Sequence, residues 1–375
     1  MTNQKIILFV NSYLPVLGGI QTVSSQLAEG LKDKGFDVYV FTNKYPINLP
    51  FKEKIQGVSI KRFVLGNFFN EIKNVKPLMN LLISFLIYPF TFVHLFVSIY
   101  KIKPDVINIH FPLTQLPYIK LLQKLCKFKI VTSFHGHDVL RWVEGSKKSK
   151  LYYDQLDLIT VSDQVTACSN YLSRKIETIY NLKLNSVITI YNGVAYSKNR
   201  EITPDKSNYI FYFGRLEHVK GLDLLINAFV NISDSEILLK IAGDGSQLYN
   251  LKKLVSKYKL EERVVFLGKI SQEEVFEYCY KSKLVVVPSR NEAFGLSVLE
   301  AIASGRSVLA TNVGGIPEIL DSRFGLLVEA SADGLLNGMN KIIDKQHLYS
   351  DNKVDEYLKS FSVQSMISNY LKSYM

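Results

Sequence analysis

Two carboxylates, Glu292 and Glu300, lie eight residues apart, shortly after the apolar segment 284–287. That segment predicts a buried strand, and the residues after Gly295 predict a helix that stops at Gly305. At about 1.5 Å of rise per helical residue, the two glutamate backbones are roughly 10–12 Å apart. Carboxylate pairs that act on one glycosidic bond are held at roughly 5–9.5 Å. The spacing therefore suits one extended ligand with hydroxyl groups at both ends, such as a sugar joined through a diphosphate to a ribose.

Both carboxylates also have an ordinary structural explanation. Ser289 and Glu292 have the spacing of a helix capping box. Glu300 has the spacing of a solvated helical stripe with Ser297 and Ser304. These few residues alone leave the structural and the functional explanations open.

Cationic and glycine-rich loops follow several of the predicted strands. Arg215 and Lys220 bracket a loop before a helix that begins near Gly221, and two fixed cations beside a helix N-terminus can bind an anion without a metal. Gly18 and Gly19 precede the first helix, from about 20 to 34, where paired glycines permit close approach of a phosphate or simply form a turn. Each loop is weak evidence by itself. The other candidate backbone cradles for a nucleotide are Gly243, which follows one strand, and the segment with Lys269 and Ile270, which follows the next.

His135, His137 and Asp138 follow another predicted strand. Side chains two apart in extended backbone face the same way, so this arrangement permits a metal site. The remaining histidines form no second paired motif, and we therefore predict no metal. We expect a polar histidine that faces the ligand edge of the sheet.

Strand and helix patterns alternate almost throughout the chain, which predicts an α/β fold with two parallel sheets. The polar segment 196–208 lacks periodicity and is the best linker candidate, so we expect domains over 1–196 and 207–356 with a ligand site in the cleft between them. Candidate strands cover 6–10, 38–42, 105–110, 129–134, 165–169 and 187–191 in the first half, and 209–213, 237–242, 264–267, 284–287 and 307–311 in the second.

Composition excludes several classes of protein. The chain has 375 residues, 47% of them hydrophobic, which is enough for two cores. Its three cysteines show no metal or disulfide spacing, and residues 1–10 show no signal-peptide pattern, so we expect a cytoplasmic protein. The formal charge of +11 favours anionic partners. The lysines are dispersed and match no nucleic-acid-binding motif, so we expect phosphorylated substrates or anionic lipid rather than nucleic acid.

The segment Leu78–Tyr100 contains twenty-three residues without Asp, Glu, Lys or Arg. Its length and hydropathy fit a transmembrane helix. Pro89 interrupts it, and the strand expected directly after it belongs to the same domain. A helix docked on the sheet, and a helix that also dips into the interface of an anionic membrane, are the alternatives.

The joint order of these motifs resembles the retaining GT-B glycosyltransferases of family 4. The resemblance covers nearly the whole chain, and its principal motifs are Gly18-Gly19, His135-Gly136-His137-Asp138, Gly214-Arg215 with Lys220-Gly221, Glu292 with Glu300, and Gly314-Gly315-Ile316-Pro317-Glu318. It implies two Rossmann-like domains that face a central cleft. The first domain would bind the acceptor and the second the donor, and a C-terminal helix of about 357–375 would pack back on the first.

The resemblance also implies roles for individual residues. Glu300 would bind the donor ribose, and Glu292 the transferred sugar. Arg215 and Lys220 would hold the diphosphate and stabilise the leaving group, with Gly18 and Gly19 closing over the phosphates and His135 near the sugar. The other donor-binding residues that it implies are Gly243, Lys269, Ile270, Phe294, Gly295 and Leu296. One departure is Ala293, where the family often carries glycine, and its added methyl group would restrict the loop beside the donor sugar.

The activity implied is transfer of a hexose-type sugar from a nucleotide-diphosphate sugar, with UDP favoured, to a glycan or lipid-linked acceptor. No cofactor or metal is expected, and a peripheral location at the inner face of the plasma membrane fits the basic charge. A sugar-nucleotide epimerase on a similar fold and a non-catalytic scaffold subunit are the alternatives. The sequence leaves the donor base, the sugar, the acceptor, the linkage and the oligomeric state open.

Overall fold

A computed structural model describes residues 4–16, 18–44, 46, 48–65, 77–113, 115–141, 149–195, 208–343 and 351–375. The chain divides into two compact units. The first contains residues 1–193 and 363–375, and the second contains residues 194–362. The segment predicted as a linker lies outside the described residues except at its last residue, Asn208.

The first unit is built on an eight-stranded sheet of order β3-β4-β2-β1-β5-β6-β7-β8. The sheet is parallel except for the edge strand β3, which pairs antiparallel with β4. Residues 6–10 of the first strand are wholly buried, which explains their continuous apolar sequence. The strands are β1 (Lys5–Val10), β2 (Asp37–Asn43), β3 (Lys52–Ile55), β4 (Val58–Phe63), β5 (Val106–His110), β6 (Lys129–Phe134), β7 (Gln164–Ala167) and β8 (Ile188–Thr189).

Five helices connect these strands: α1 (Gly19–Asp33), α2 (Pro77–Ile102), α3 (Leu116–Leu125), α4 (Lys150–Val161) and α5 (Asn170–Tyr180). α2 contains the whole apolar segment discussed above and continues through Pro89 as one helix. Its side chains Leu95, Ile99 and Ile102 are buried in the core over the sheet. The helix is therefore docked on the sheet, as both alternatives to a membrane span require. Within the described part of the chain, no helix meets the length and hydropathy that a membrane span requires.

The second unit contains a six-stranded parallel sheet of order β11-β10-β9-β12-β13-β14. Its core lies between the sheet and the helices that pack on it, with Leu225, Phe229, Ile241 and Leu309 fully buried. The strands are β9 (Tyr209–Phe213), β10 (Leu238–Ala242), β11 (Val264–Gly268), β12 (Leu284–Val287), β13 (Val308–Thr311) and β14 (Gly325–Val328). The helices are α6 (Leu222–Phe229), α7 (Leu248–Lys257), α8 (Gln272–Lys281), α9 (Leu296–Ala303), α10 (Ala332–Ile342) and α11 (Asp351–Leu358), with short 3₁₀ helices at His218–Lys220, Ile316–Glu318 and Lys359–Phe361.

The C-terminal segment corrects one sequence prediction. A single helix over about 357–375 was expected, but α11 ends at Leu358 and a separate helix, α12 (Val363–Tyr374), follows the 3₁₀ turn. The break separates the units, because residues 357–362 belong to the second unit and 363–375 to the first. In the first unit, the hydroxyl group of Tyr374 accepts a hydrogen bond from Asn108 Nδ2 at 2.8 Å.

Both sheets reverse their order at one point. In the first sheet the chain runs outward from β1 through β2 and later returns to β5 on the other side of β1. In the second sheet it runs from β9 through β10 to β11 and then returns to β12 on the other side of β9. Open parallel sheets bind ligands outside the carboxyl ends of their strands at such switch points.

Candidate active site

The second unit places most of the predicted site residues at one edge of its sheet. Arg215 and Lys220 follow β9, Gly243 follows β10, and Lys269 follows β11. The loop with Glu292 follows β12, which lies directly beside β9. These residues therefore lie at the same edge of the sheet, and the switch point lies between the strands that carry Lys220 and Glu292.

Lys220 and Glu292 form an ion pair. Lys220 Nζ lies 2.5 Å from Glu292 Oε2, and the two side chains are 20% and 16% exposed. Ser289 Oγ donates a weaker hydrogen bond of 3.4 Å to the same carboxylate oxygen. The capping-box explanation of Ser289 and Glu292 is wrong, because α9 begins at Leu296 with Gly295 as its N-cap.

The main chain around Glu292 is held by close backbone contact. Gly315 donates its N–H to the Glu292 carbonyl oxygen at 3.0 Å. A Cβ atom at Gly314, where φ is +59°, would lie 1.8 Å from the same oxygen. Only a residue without a side chain permits this approach, so the two glycines fix the position of the Glu292 main chain.

A second ion pair ties the same loop to the one after β9. Arg290 Nη1 and Nη2 donate to the two carboxylate oxygens of Asp223 at 2.6 and 2.5 Å. Nη1 also donates to the His218 carbonyl oxygen at 3.0 Å, and the Arg290 N–H donates to the Val219 carbonyl oxygen at 2.8 Å. Arg290 and Asp223 were not predicted as site residues; an acidic residue in the first turn of α6, opposite a loop arginine, was the available signal.

Glu300 lies half-buried on α9, and its carboxylate accepts a hydrogen bond from Gln272 Nε2 at 2.9 Å. Burial raises the pKa of Glu300, and the Gln272 bond opposes that rise in part. Ser304, its supposed partner on a solvated stripe, is fully buried and donates to the Ala301 carbonyl oxygen. The stripe explanation is therefore wrong, and a half-buried carboxylate next to an amide is a suitable acceptor for hydroxyl groups.

The remaining predicted residues of this unit occupy different environments. Arg215 is exposed, and its carbonyl oxygen accepts a hydrogen bond from the Tyr212 hydroxyl group at 3.0 Å. Lys269 is also exposed and lies 3.6 Å from Asp244. Phe294 is buried, with its ring centroid 6.4 Å from that of Phe361.

Backbone groups complete this edge of the sheet. Gly295, with φ +105°, caps α9, and Leu296 is the first residue of that helix. Gly243, with φ +133°, approaches the Gly214 main chain so closely that a Cβ would lie 1.8 Å from its carbonyl oxygen. Ile270 is partly buried after β11.

The first unit carries a histidine pair at the edge of its own sheet, with His110 buried and His135 half-buried. His110 ends β5 and His135 follows the neighbouring strand β6. His110 Nδ1 and His135 Nε2 are 2.9 Å apart, and their rings stack with centroids 5.2 Å apart. His110 Nε2 and His135 Nδ1 have no hydrogen-bond partner among the described residues. Burial lowers the pKa of His135 to about 4, and burial followed by the neighbouring His135 lowers that of His110 well below its usual value.

Asp138 supports the loop that holds His135. Its carboxylate accepts the N–H groups of Gly136 at 2.7 Å and of His135 at 3.1 Å. Burial raises the pKa of Asp138 to about 6, although these backbone bonds act in the opposite direction. His137 is exposed, so the two histidines of the motif do not face the same way. Within the described ranges, no three His, Cys, Asp or Glu side chains are grouped closely enough to hold a metal ion.

Gly18 and Gly19 lie at the N-terminus of α1, which follows β1. Gly18 is the N-cap residue, and a Cβ there would lie 2.5 Å from Gln21 Oε1. β1 lies beside β5, so this helix end and His110 belong to the switch point of the first sheet. The free N–H groups of a helix N-terminus favour anions.

Sequence profiles match both halves of the chain. The profile described as "Glycosyltransferase Family 4" matches residues 17–198, and "Glycosyl transferases group 1" matches residues 196–360. The chain belongs to the family 4 glycosyltransferases. The match accounts for the paired parallel sheets, and the fold is GT-B.

Individual relatives extend this assignment. This glycosyltransferase is 28% identical to an uncharacterized glycosyltransferase of Methanocaldococcus jannaschii, with 98% of this chain and 97% of the relative aligned. It is 27% identical to N-acetyl-alpha-D-glucosaminyl L-malate synthase of Bacillus anthracis, over 95% and 93% of the two chains. The structure of Anabaena HepE in complex with UDP and glucose superimposes with a TM-score of 0.74 at 19% identity, over 99% of each chain.

Proposed function

We propose that this glycosyltransferase moves a hexose-type sugar from a nucleotide-diphosphate sugar to a glycan or lipid-linked acceptor, with retention of the anomeric configuration. The observation that carries the proposal is the Lys220–Glu292 pair at the switch point of the second sheet. A cation, a carboxylate and a helix N-terminus at that point suit a ligand with both phosphates and hydroxyl groups. The HepE complex with UDP and glucose supports UDP as the favoured nucleotide.

The second unit supplies the donor site in this proposal. Glu300, steadied by Gln272, accepts hydrogen bonds from the ribose hydroxyl groups. Lys220 and the exposed Arg215 neutralise the diphosphate, and Glu292 accepts from hydroxyl groups of the sugar. Before the donor binds, Lys220 is paired with Glu292, so the ion pair holds the carboxylate in place without a ligand. The backbone near Gly243, Lys269, Ile270 and the segment Phe294–Leu296 completes the nucleotide site.

In the proposed reaction, the site residues stabilise the charges that develop on the leaving group and on the sugar. The bond between the anomeric carbon and the phosphate oxygen breaks, and its electron pair stays on the phosphate. The acceptor hydroxyl group attacks the same face of the sugar, its oxygen forms the new glycosidic bond, and its proton passes to the departing phosphate. Arg215 and Lys220 stabilise the negative charge that develops on the leaving group. Glu292 stabilises the sugar as it acquires positive character.

We propose that the reaction needs neither a metal nor a cofactor. Two fixed cations and the amide groups at the N-terminus of α9 supply the positive charge that a divalent ion supplies in other phosphate sites. Addition of a chelator such as EDTA to the purified enzyme tests this point. Turnover that stays constant supports the proposal, whereas loss of turnover that returns with magnesium or manganese contradicts it.

The first unit supplies the acceptor site in this proposal. The polar groups that could contact an acceptor in this unit are the pair of His110 and His135 and the N-terminus of α1. A role for His135 near the sugar, and for Gly18 and Gly19 over the phosphates, remains a prediction from the family. A glycan or lipid-linked acceptor fits the synthesis of a surface polysaccharide or glycolipid by a cytoplasmic enzyme.

The experiment that tests the function uses a panel of UDP- and GDP-sugars, with and without a membrane lipid extract. Release of free nucleotide that increases with the lipid extract supports transfer. Conversion of the sugar without nucleotide release would indicate an epimerase, and nucleotide-sugar binding without turnover under any condition would indicate a scaffold. The anomeric configuration of the isolated product, read by NMR coupling constants, tests retention.

A further inference from the structure

Helix α2 is apolar on its outward face as well as on the face that packs on the sheet. Four large apolar side chains point to solvent: Phe90 is 78% exposed, Val93 56%, Val97 39% and Tyr100 63%. Most soluble proteins expose large apolar side chains singly rather than in a row. The outward face of α2 therefore needs an explanation beyond its role in the core.

The four side chains form one continuous stripe. They follow one another at intervals of three, four and three residues, which keeps them on one side of a helix. At about 1.5 Å per residue, the stripe is roughly 15 Å long. The described side chains of α2 run from 87 to 102, and among them the exposed ones are Pro89, Phe90, Val93, His94, Val97, Tyr100 and Lys101.

Basic side chains border this stripe. Burial first, and then the charges of Lys52 and Lys61, lowers the pKa of His94. Burial, followed by the charges of Lys52 and Lys101, lowers the pKa of Lys61. Lys52 and Lys61 pair across the β3–β4 hairpin, and their charges act on His94, on the same side of α2 as the stripe. The hairpin and Lys101 at the end of α2 therefore supply basic groups beside the stripe. His94 is mostly neutral at pH 7, so it adds no charge within the apolar row.

We propose that the stripe from Phe90 to Tyr100, with its rim of Lys52, Lys61 and Lys101, docks this enzyme on the surface of an anionic phospholipid bilayer. An apolar row with a basic border is the chemistry of an interfacial helix, in which side chains enter the acyl boundary and lysines meet the headgroups. A second copy of the chain would bring the same lysine rims together, which opposes self-association. The inference stands on this surface and does not depend on the proposed donor chemistry.

Vesicle binding by the purified full chain tests the proposal. The chain is expected to sediment with vesicles of equal parts phosphatidylcholine and phosphatidylglycerol, to stay in solution with phosphatidylcholine alone, and to dissociate as salt increases. The variant that combines Phe90→Ser with Tyr100→Ser is expected to lose binding at least about tenfold, because burial of these two side chains drives insertion. Lys52→Gln and Lys101→Gln are each expected to weaken it about fivefold.

The matched control combines Leu184→Ser with Tyr249→Ser, whose side chains are 69% and 68% exposed but lie outside the stripe. It is expected to bind vesicles as the unaltered chain does. Equal binding by the Phe90–Tyr100 variant and the control would overturn the proposal, as would a complete lack of binding by the unaltered chain. A concentration-dependent dimer that the Phe90–Tyr100 variant loses would also overturn it in favour of a second copy. Nucleotide-sugar affinity, measured by calorimetry, is expected to stay unchanged in every variant, which separates this test from that of the donor site.

Discussion

Lys220 and Glu292 are 72 residues apart in the chain, yet their charged groups lie 2.5 Å apart. They meet because β9 and β12 are neighbours, so the loops that follow these strands share one edge of the sheet. The pair is mostly shielded from solvent, and each member holds the other in place. A phosphate group and a sugar hydroxyl group that enter together can each take one member of this pair as a partner.

Replacement of Lys220 by alanine is expected to reduce turnover at least about 100-fold. Loss of one preorganised group facing developing charge costs about 2.7–4 kcal/mol in the barrier. Steady-state kinetics with the donor identified by the panel measures this effect, and Lys253→Ala, at an exposed position of α7, is the control. A Lys220→Ala enzyme with normal turnover would remove Lys220 from the diphosphate site.

The same substitution is expected to lower stability as well, because it leaves the carboxylate of Glu292 without its cation. The double variant Lys220→Ala with Glu292→Gln removes that isolated charge. It is expected to regain most of the lost stability in urea unfolding while its turnover stays low. Recovery of turnover together with stability would show that Lys220 acts only through the fold.

Glu300 is expected to show a conflict between stability and donor binding. Burial raises its pKa, so the folded state favours the protonated form, and ionisation of Glu300 at neutral pH weakens the fold. Glu300→Gln is therefore expected to raise the melting temperature slightly and to weaken nucleotide binding, as the ribose loses a charged acceptor. Thermal unfolding and calorimetry at pH 7 measure the two effects. Unchanged nucleotide affinity would contradict the ribose assignment.

Arg290 and Asp223 are expected to couple the two loops at the switch point. Arg290→Lys keeps the charge but loses the bidentate geometry, and it is expected to lower turnover although neither side chain is proposed to touch the sugar. Both groups are partly exposed, so the coupling energy in stability is expected to be at most about 1 kcal/mol. The exchange variant Asp223→Arg with Arg290→Asp is expected to recover part of the turnover. If the exchange variant instead lost as much turnover as the two single substitutions together, the pair would not act as a unit.

Local sequence patterns predicted most of the fold because the strands are short apolar runs that end in glycine or proline. β6, β9 and β12 have the predicted bounds, and the other predicted strands differ by one to three residues in total at their ends. The edge hairpin of β3 and β4 was missed because its charged, partly exposed residues resemble a loop. β14 (Gly325–Val328), which begins with glycine and has only three apolar residues, was also missed.

The candidate site was predictable only as a set of residue types. Position in the chain placed Lys220 and Glu292 in loops after strands and Glu300 on the helix that follows, but their partners depend on which strands are neighbours. The ion pair of Arg290 with Asp223 and the contact of His110 with His135 join residues 67 and 25 positions apart. No local pattern specifies such contacts, because the order of the strands in the sheet and the conformation of each loop determine them.

The pair of His110 and His135 is expected to make the fold sensitive to acid. Both histidines have lowered pKa values, so they are neutral when folded and bind protons when the chain unfolds. Stability is therefore expected to be complete above about pH 6.5 and to decrease as pH falls towards 4. The raised pKa of Asp138 has the opposite effect between about 4 and 6, but one carboxylate only partly offsets two imidazoles.

Urea unfolding across this pH range measures the slope. His110→Leu is expected to flatten it, whereas His110→Asn, which keeps a polar nitrogen near the position of Nδ1, is expected to preserve the ¹⁵N shifts of His135. Retention of the full acid sensitivity in His110→Leu would contradict the assignment of the slope to this pair.

Gly314 is expected to control activity through the main chain of Glu292. Gly314→Ala places a methyl group where a Cβ lies 1.8 Å from the Glu292 carbonyl oxygen, so the loop must move and the bond from the Gly315 N–H must lengthen. Gly35→Ala is the matched control, because Gly35 also has a positive φ but has no atom within 4 Å of its Cβ position. Both variants place alanine in a left-handed backbone conformation that glycine adopts more readily, which lowers the free energy of unfolding by about 1 kcal/mol. Only Gly314→Ala is expected to lower turnover, and an equal loss in both would mean that backbone strain, not the position of Glu292, sets the rate.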